Sequence, residues 1–197
     1  MRVLGVDPGL DTTGYALVDA DGVRRRIVEA GVVRSIARDT LARRLAALHS
    51  GVAEILTEHH PDVLVLEELY AHYAHPTTAI LMGHARGVIC LAAAAADVPV
   101  IGYLPTRIKK AIVGRGHATK AQMQRMIQTV LQLRALPEPS DVADALALAL
   151  AHVHIVTMER LYNSRAYGTG YRDGNKRCAA ARRYRPSRYL VPARLVR

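Results

Sequence analysis

The chain has 197 residues, half of them apolar, which is enough for one domain with a substantial core. Its two cysteines are too few for a disulfide framework, so we expect a reducing, cytoplasmic setting. The first predicted strand begins at Arg2 and leaves no room for a signal peptide, and the most apolar segment, residues 88–104, is broken by Asp97 and Pro99. The composition therefore argues against a disulfide-rich secreted protein and against a membrane-spanning one.

The net charge of +10 is concentrated near the C-terminus. Residues 1–158 contain 16 Lys and Arg against 15 Asp and Glu, whereas residues 159–197 contain 11 against 2 and five of the nine tyrosines. Basic side chains interleaved with aromatic rings suit a polyanion, although charge runs more often form solvated tails. We therefore predict a domain of residues 1–158 followed by a basic, flexible extension of residues 159–197.

The hydrophobic patterns predict an α/β domain. Apolar runs bounded by turn residues predict strands at residues 2–7, 13–19, 23–33, 62–68 and 98–103, with a hairpin turn at Asp21-Gly22. Apolar positions three and four residues apart predict helices after an Asp39 cap, from Pro76 to about Asp97, and at residues 106–113, 119–133 and 140–158. Hairpin strands followed by alternating strands and helices favour a mixed sheet covered by helices.

The helix predicted from Pro76 carries a stripe of small residues, Ala79, Gly83 and Gly87. Such a stripe allows another backbone to approach closely, either within the fold or across a dimer.

Acidic residues end two of the apolar strands. Asp7 ends the first strand before the turn Pro8-Gly9, and Glu67 and Glu68 end the strand at residues 62–68. A charge that leaves a buried strand needs a metal ion or a cationic partner, although ordinary turn chemistry explains Asp7 equally well. The strand before the glutamates is apolar at every position, so its alternation does not decide which glutamate faces the core.

Two further acids lie one turn apart on the helix predicted from residue 140, for which Ser140 is the expected N-cap. Asp141 is favoured there by the helix dipole, whereas Asp144 lies on a helix that is apolar nearly all round, where an unpaired charge is costly. Such clustered acids repel one another, so at least one should titrate high without a cation. Carboxylates with no obvious Cys or His ligand set suit Mg²⁺ or Mn²⁺, and two such ions roughly 4 Å apart catalyse phosphodiester cleavage. With the basic extension, the acids indicate a nuclease.

Five motifs occur in order along the chain: Gly5-Val-Asp-Pro-Gly-Leu10, Glu67-Glu-Leu-Tyr70, Gly83-His-Ala-Arg-Gly-Val88, Val113-Gly-Arg-Gly-His-Ala-Thr-Lys120 and Asp141-Val-Ala-Asp-Ala-Leu-Ala147. Together they resemble the RuvC crossover junction endonucleases over about residues 1–156. The resemblance implies an RNase H-like, integrase-type fold and a homodimer. It also implies symmetrical nicking of Holliday junctions in recombination and repair, together with the RuvA–RuvB branch-migration complex.

The same resemblance implies roles for individual residues. The four catalytic acids, which also bind two Mg²⁺ ions replaceable by Mn²⁺, would be Asp7, Glu67, Asp141 and Asp144. Glu67 is chosen over Glu68 because an aromatic residue, usually Phe and here Tyr70, follows it by three positions. The residues expected to contact DNA are Tyr70, Lys109, Lys120 and Arg115, the last in a loop whose N–H groups suit a phosphate. From physical chemistry alone, both lysines could equally be solvated.

Two other interpretations stay open. The segment Gly5–Gly9 followed by Thr12-Thr13-Gly14 also resembles the first phosphate loop of actin-like ATPases and sugar kinases, whose second lobe does not fit into 197 residues. A non-catalytic junction-binding protein on the same fold would have no need of all four acids. His152 and His154, two residues apart, do not share a helical face and are expected to be helix-end residues.

Overall fold

The computed structural model describes residues 1–68, 76–135 and 138–166. Tyr70 and residues 167–197 lie outside the described residues, so the predictions for that side chain and for most of the basic extension stay predictions. Along the chain the elements are β1 (Arg2–Asp7), β2 (Thr12–Asp21), β3 (Arg24–Arg34), α1 (Leu41–His59), β4 (Val63–Glu67), α2 (Pro76–Ala95), β5 (Val100–Tyr103), α3 (Pro105–Val113), α4 (Lys120–Val130) and α5 (Ser140–Ala166).

The described strands form one mixed sheet in the order β3-β2-β1-β4-β5. The pairs β1–β2 and β2–β3 are antiparallel, whereas the pairs β1–β4 and β4–β5 are parallel. In the parallel pairing Val6 lies opposite Leu66. The next residues, Asp7 and Glu67, therefore leave neighbouring strands at the same edge of the sheet. The prediction of a mixed sheet covered by helices is confirmed.

Helices cover both faces of this sheet. Val3 packs in a core with α3, α4 and α5, whereas Leu4 and Val6 pack in a second core with α1 and α2. Because side chains alternate along a strand, Gly5 and Asp7 share the α5 face with Val3. Period-two alternation therefore directs the Asp7 carboxylate toward the helix that carries the other two acids.

Two glycines allow α5 to lie directly on the strand backbones. A Cβ atom at Gly5 would lie 2.2 Å from the carbonyl oxygen of Ala145, and a Cβ at Gly14 would lie 2.2 Å from the carbonyl oxygen of Asp141. Both distances are far below van der Waals contact, and backbone atoms cannot rotate away as a side chain can. The first turns of α5 are therefore held against β1 and β2 by the absence of two side chains.

Several helix ends differ from the predicted ones. The cap of α1 is Thr40, whose Oγ1 accepts the N–H of Arg43, whereas Asp39 lies one residue earlier, in a turn in which its N–H donates to the carbonyl of Ile36. Ser140 is the first residue of α5 rather than its cap.

Helix α5 is also longer than predicted, running past Met158 to Ala166. No Gly or Pro interrupts residues 159–166, and Ile155 still packs against the core. The predicted domain boundary after Met158 stays a prediction, and α5 runs through it.

Two helical segments, Thr77–Ala95 and Ser140–Asn163, have the length and mean hydropathy of a membrane span. The second is 61% buried as the core helix, whereas the first is only 22% buried. A core helix of a soluble protein passes the same test, so these segments are weak evidence for a membrane. The exposed apolar surface of α2 nevertheless needs an explanation.

We predict that Gly5→Ala destabilises the fold by at least about 1 to 3 kcal/mol, because the added methyl group has to push α5 away from β1. Urea unfolding measures the loss. Gly116→Ala is the control, because its Cβ would come no closer than 3.5 Å to a neighbour, the Thr106 carbonyl oxygen. Equal stability of the Gly5→Ala variant and the wild type would contradict the close approach.

Candidate active site

The two glutamates at the end of β4 lie in different surroundings. Alternation from Val65, which packs on the α5 face, puts Glu67 on that face with Asp7. Glu68 lies on the opposite side, where its Cγ would be 2.8 Å from a Cβ at Gly102 and the Arg86 guanidinium is also close. The structure therefore separates the two glutamates that the sequence pattern could not separate.

A cavity of about 300 Å³ opens at this edge between β1, β4, α3, α4 and α5. Three carboxylates and two ammonium groups line it, set in an apolar wall. The charged residues are Asp7, Glu67, Asp144, Lys109 and Lys120, and the wall consists of Pro105, Ile108, Met123, Ala147 and Leu148.

The apolar wall and the nearby like charges raise the pKa values of two of these acids. Burial, followed by the charges of Asp144, Asp141 and Glu67, raises the pKa of Asp7 to about 7. Burial and the charge of Asp144 also raise the pKa of Glu67, and Lys109 opposes this rise. The high titration expected of at least one clustered acid is confirmed for Asp7. In the metal-free protein this carboxyl group is therefore partly protonated near neutral pH.

The two lysines partly offset the acidic charge. The Lys120 ammonium group donates a hydrogen bond of 2.9 Å to Oδ2 of Asp144, and this bond raises the lysine pKa. Both side chains of this pair are about half exposed, so water screens the interaction. Lys109 is partly buried in the same cavity. The structure therefore brings both predicted lysines to the acids.

Asp141 and Arg115 do not line the cavity. The charge of Asp141 nevertheless helps to raise the pKa of Asp7. Arg115 is exposed in the connection between α3 and α4, next to Gly114 with its positive φ of 83°, and forms no ion pair with another described residue. The structure thus brings Asp7, Glu67 and Asp144 together, with Asp141 beside them and Arg115 at the surface.

The donor set fits a divalent cation. Carboxylate oxygens are the ligands preferred by hard cations such as Mg²⁺ and Mn²⁺, and here three of them face one cavity. Within the described part of the chain, no three acidic, His or Cys side chains converge closely enough to share one ion. Asp144 is instead paired with Lys120, whose ammonium group donates a hydrogen bond to it.

One buried polar pair next to the cavity was missed by the sequence interpretation. His152 lies inside α5 rather than at a helix end, is only 3% exposed, and its Nδ1 is 2.9 Å from the hydroxyl of Tyr103. Burial lowers the pKa of His152. Asp144, Leu148 and His152 follow one another at intervals of four residues, so they lie along one side of α5. This spacing was the feature of the sequence that could have predicted the position of His152. The pair connects β5, opposite Glu67, to the helix that carries Asp144.

The interpretation as a phosphate loop of an ATPase is not supported by the local geometry. The Thr13 hydroxyl is fully buried and donates to the carbonyl of Gly9 at 2.6 Å, and the Gly9 N–H in turn points to the same hydroxyl. These groups close the turn after Asp7 on itself and are not directed at a ligand.

The raised pKa of Asp7 predicts how stability depends on pH. In the folded metal-free protein Asp7 holds its proton up to about pH 7, whereas the unfolded chain releases it near its ordinary value of 3.8. The protonated Asp7 carboxyl group therefore favours the folded state at low pH. This contribution to the free energy of unfolding should be lost as the pH rises from about 4 to about 7. In EDTA at pH 8, Asp7→Asn should be more stable than the wild type by about 2 to 4 kcal/mol.

Urea unfolding at several pH values measures this difference, which should vanish near pH 4. Asp21→Asn, which removes a carboxylate at an exposed position outside the cavity, is the control. A stability gain for Asp7→Asn that is the same at pH 4 and pH 8 would contradict the explanation.

Comparison with known proteins agrees with these features. The family model described as crossover junction endodeoxyribonuclease RuvC matches residues 3–152. A relative of that name from Rhodopirellula baltica is 53% identical over 148 residues, which are 75% of this chain and 83% of the relative. Another from Pelotomaculum thermopropionicum is 43% identical over 160 residues, 81% of this chain and 97% of the relative.

Solved structures give the same result for the fold. The structure of T. thermophilus RuvC in complex with Holliday junction substrate superimposes with a TM-score of 0.77 at 34% identity, covering 81% of this chain and 96% of that one. The yeast mitochondrial Holliday junction resolvase Ydc2, at 12% identity and a TM-score of 0.62, shares the fold alone. The RNase H-like architecture implied by the motifs is confirmed, and the chain belongs to the RuvC family of crossover junction endodeoxyribonucleases.

Proposed function

We propose that this protein resolves Holliday junctions by symmetrical paired nicks during homologous recombination and DNA repair. The observation that carries the proposal is the cavity where Asp7, Glu67 and Asp144 meet, with Asp141 beside them. An apolar cavity lined by carboxylates is suited to bind divalent metal ions next to a phosphodiester, and its position at an open sheet edge leaves it accessible to a nucleic-acid strand.

The four acids, Asp7, Glu67, Asp141 and Asp144, are the proposed catalytic and metal-binding residues. The RuvC family implies dependence on a divalent metal; that the ions are Mg²⁺, two per site and replaceable by Mn²⁺, is our proposal. When bound, such ions supply Lewis-acid stabilisation of the charge that develops on the reacting phosphate. The carboxylates hold and orient them, and the apolar wall strengthens these charge interactions by limiting water.

The cationic side chains give the cavity affinity for the DNA backbone. Lys109 and Lys120 lie beside Glu67 and Asp144, respectively, and once the acids are occupied by cations, both ammonium groups are available to a phosphate. Arg115 is exposed on the adjoining connection and suits a phosphate farther along the strand. Tyr70 is proposed to stack on a junction base, as the resemblance of the motif implies.

Cleavage of a synthetic four-way junction, with and without Mg²⁺, tests this function. Glu67→Gln should abolish nicking while junction binding stays intact, because the neutral amide removes a metal ligand but keeps the size of the side chain. We expect the same of Asp7→Asn, Asp141→Asn and Asp144→Asn.

Glu68→Gln is the matched control for Glu67→Gln, and its effect should be mild, since Glu68 faces Gly102 and Arg86. An inactive Glu68→Gln together with an active Glu67→Gln would refute the assignment. Junction binding without cleavage by the wild type in Mg²⁺ and in Mn²⁺ would instead support the non-catalytic alternative.

The protein is proposed to act as a homodimer through α2. Symmetrical nicks require two active sites related by a two-fold axis. The predicted small-residue stripe Ala79, Gly83 and Gly87 lies on one face of this helix together with Ile80 and Leu91, because their spacings are three or four residues. Ile80 and Leu91 are 58% and 60% exposed, and no described residue comes within 4 Å of a Cβ placed at either glycine.

Gly83→Leu should weaken the dimer, because a large side chain keeps two closely packed helices apart. Sedimentation velocity measures the change, and the helix itself should tolerate leucine, a better helix former than glycine. The control is Ala46→Leu, an equally bulky change at an exposed position on α1. A folded Gly83→Leu protein that is still fully dimeric would exclude this face.

The remaining proposals rest on the sequence. Residues 159–197, with nine net positive charges, are proposed to add non-specific affinity for DNA phosphates. The RuvA–RuvB complex is proposed as the partner that delivers the junction, and the cytoplasm as the compartment in which chromosomal junctions occur.

A further inference from the structure

The edge of the sheet that holds the carboxylates also carries three arginines on the far side of β2. Arg34 is the last residue of β3, Arg38 lies in the connection to α1, and Arg43 lies in the first turn of α1. We call these three residues the arginine ledge. The antiparallel pairings place Arg34 opposite Thr12, at the end of the sheet from which Asp7 emerges.

The ledge has little anionic compensation. All three side chains belong to exposed residues, and within the described ranges Arg34 and Arg38 form no ion pair. Arg43 reaches a single carboxylate, that of Asp39, at 4.0 Å, and its own side chain is 77% exposed. Three positive charges thus face solvent with one acid, Asp39, in reach, while the neighbouring Asp11 is paired with Arg44.

The start of α1 also departs from a local rule of helix stability. Acidic residues are favoured in the first turn because they complement the positive end of the helix dipole, and basic ones are disfavoured. The first turn of α1 contains no acid but includes Arg43 and Arg44. Both arginines have a partner, since Arg44 pairs with Asp11 and Arg43 reaches Asp39 at 4.0 Å, but neither acid lies within the helix. Here the helix end and the arginines add to one positive field.

A hydrogen-bond network holds the ledge in place relative to the active site. The Ser35 N–H donates to the carbonyl of Asp11, the Ser35 hydroxyl donates to the carbonyl of Leu10, and Nε of Arg44 donates to the same hydroxyl. Arg44 also pairs with Asp11. These bonds connect the β3–α1 connection to the loop that directly follows Asp7. These contacts fix the backbone next to Arg34, at the start of the connection that carries Arg38, relative to the loop that follows Asp7.

The dimensions fit a DNA duplex. Arg34 lies two strands from β1, which is about 10 Å across the sheet. Duplex DNA carries a phosphate charge about every 1.7 Å along its axis, so an arm with one phosphate at the carboxylates brings others past the ledge. We propose that the arginine ledge binds the backbone phosphates of the duplex arm that flanks the cleaved strand. This inference rests on the proposed junction-binding function and adds to it a phosphate-contact surface outside the cavity.

Salt-dependent binding provides the test, because each phosphate contact contributes about 0.9 to the slope of log affinity against log salt. Arg34→Gln and Arg38→Gln, in the full-length chain, should each lower the magnitude of this slope by roughly 1. Arg24→Gln is the matched control: Arg24 is the first residue of β3, is exposed, and lies about 30 Å from the active-site end of the same strand. It removes the same charge and should leave the slope unchanged.

The slopes are measured by fluorescence anisotropy on a labelled four-way junction without divalent metal, so that cleavage does not interfere. Thermal unfolding verifies that all variants are folded. If Arg34→Gln and Arg38→Gln have the wild-type slope, or if Arg24→Gln lowers it equally, the ledge is not a phosphate site. Absence of junction binding by the wild type would refute the proposed function itself. Failure of the ledge proposal and failure of the proposed function therefore give different results.

Discussion

The geometry of the proposed active site depends on the contact between α5 and the backbones of β1 and β2. Because Gly5 and Gly14 have no side chains, the helix lies against the sheet at a distance that any other residue would increase. Asp144 on the helix then meets Asp7 and Glu67 at the ends of two parallel strands. The relevant property of the two glycines is therefore their small volume, since a methyl group at either would collide with backbone atoms that have no alternative rotamer.

The same contact creates an electrostatic cost. The cavity wall is apolar, so it limits the hydration of the acids and strengthens their mutual repulsion, and the pKa of Asp7 rises to about 7 as a result. Lys109 and Lys120 reduce this cost without removing it. Residues whose pKa values are strongly perturbed by burial and by like charges are characteristic of functional sites, where stability is lost in exchange for reactivity. A bound divalent cation would attract the carboxylates and so replace their net repulsion by a net attraction to the ion.

Much of the fold was predictable from local patterns, because buried strands and amphipathic helices carry their periods in the sequence. The mixed sheet, the strand that ends in Asp7 and the buried helix around Asp144 are all confirmed. The choice between Glu67 and Glu68 was not available from their strand, since its residues are buried on both faces. It depends on the parallel register with β1, a tertiary property. His152 was missed for a related reason, as its partner Tyr103 lies 49 residues away in the chain.

The order of the elements along the chain has a consequence for the protein during its synthesis. Asp7 belongs to the first strand and Glu67 to the fourth, whereas Asp144 lies on α5, the last described helix. The parallel pairing of β1 with β4 and the docking of α5 on β1 are both contacts between distant segments, which form late and together. A nascent chain on the ribosome lacks Asp144 until α5 has emerged and docked. The cavity that we propose as the active site therefore forms only after α5 has been synthesised, because the order of the elements makes this helix the last part of the cavity to assemble.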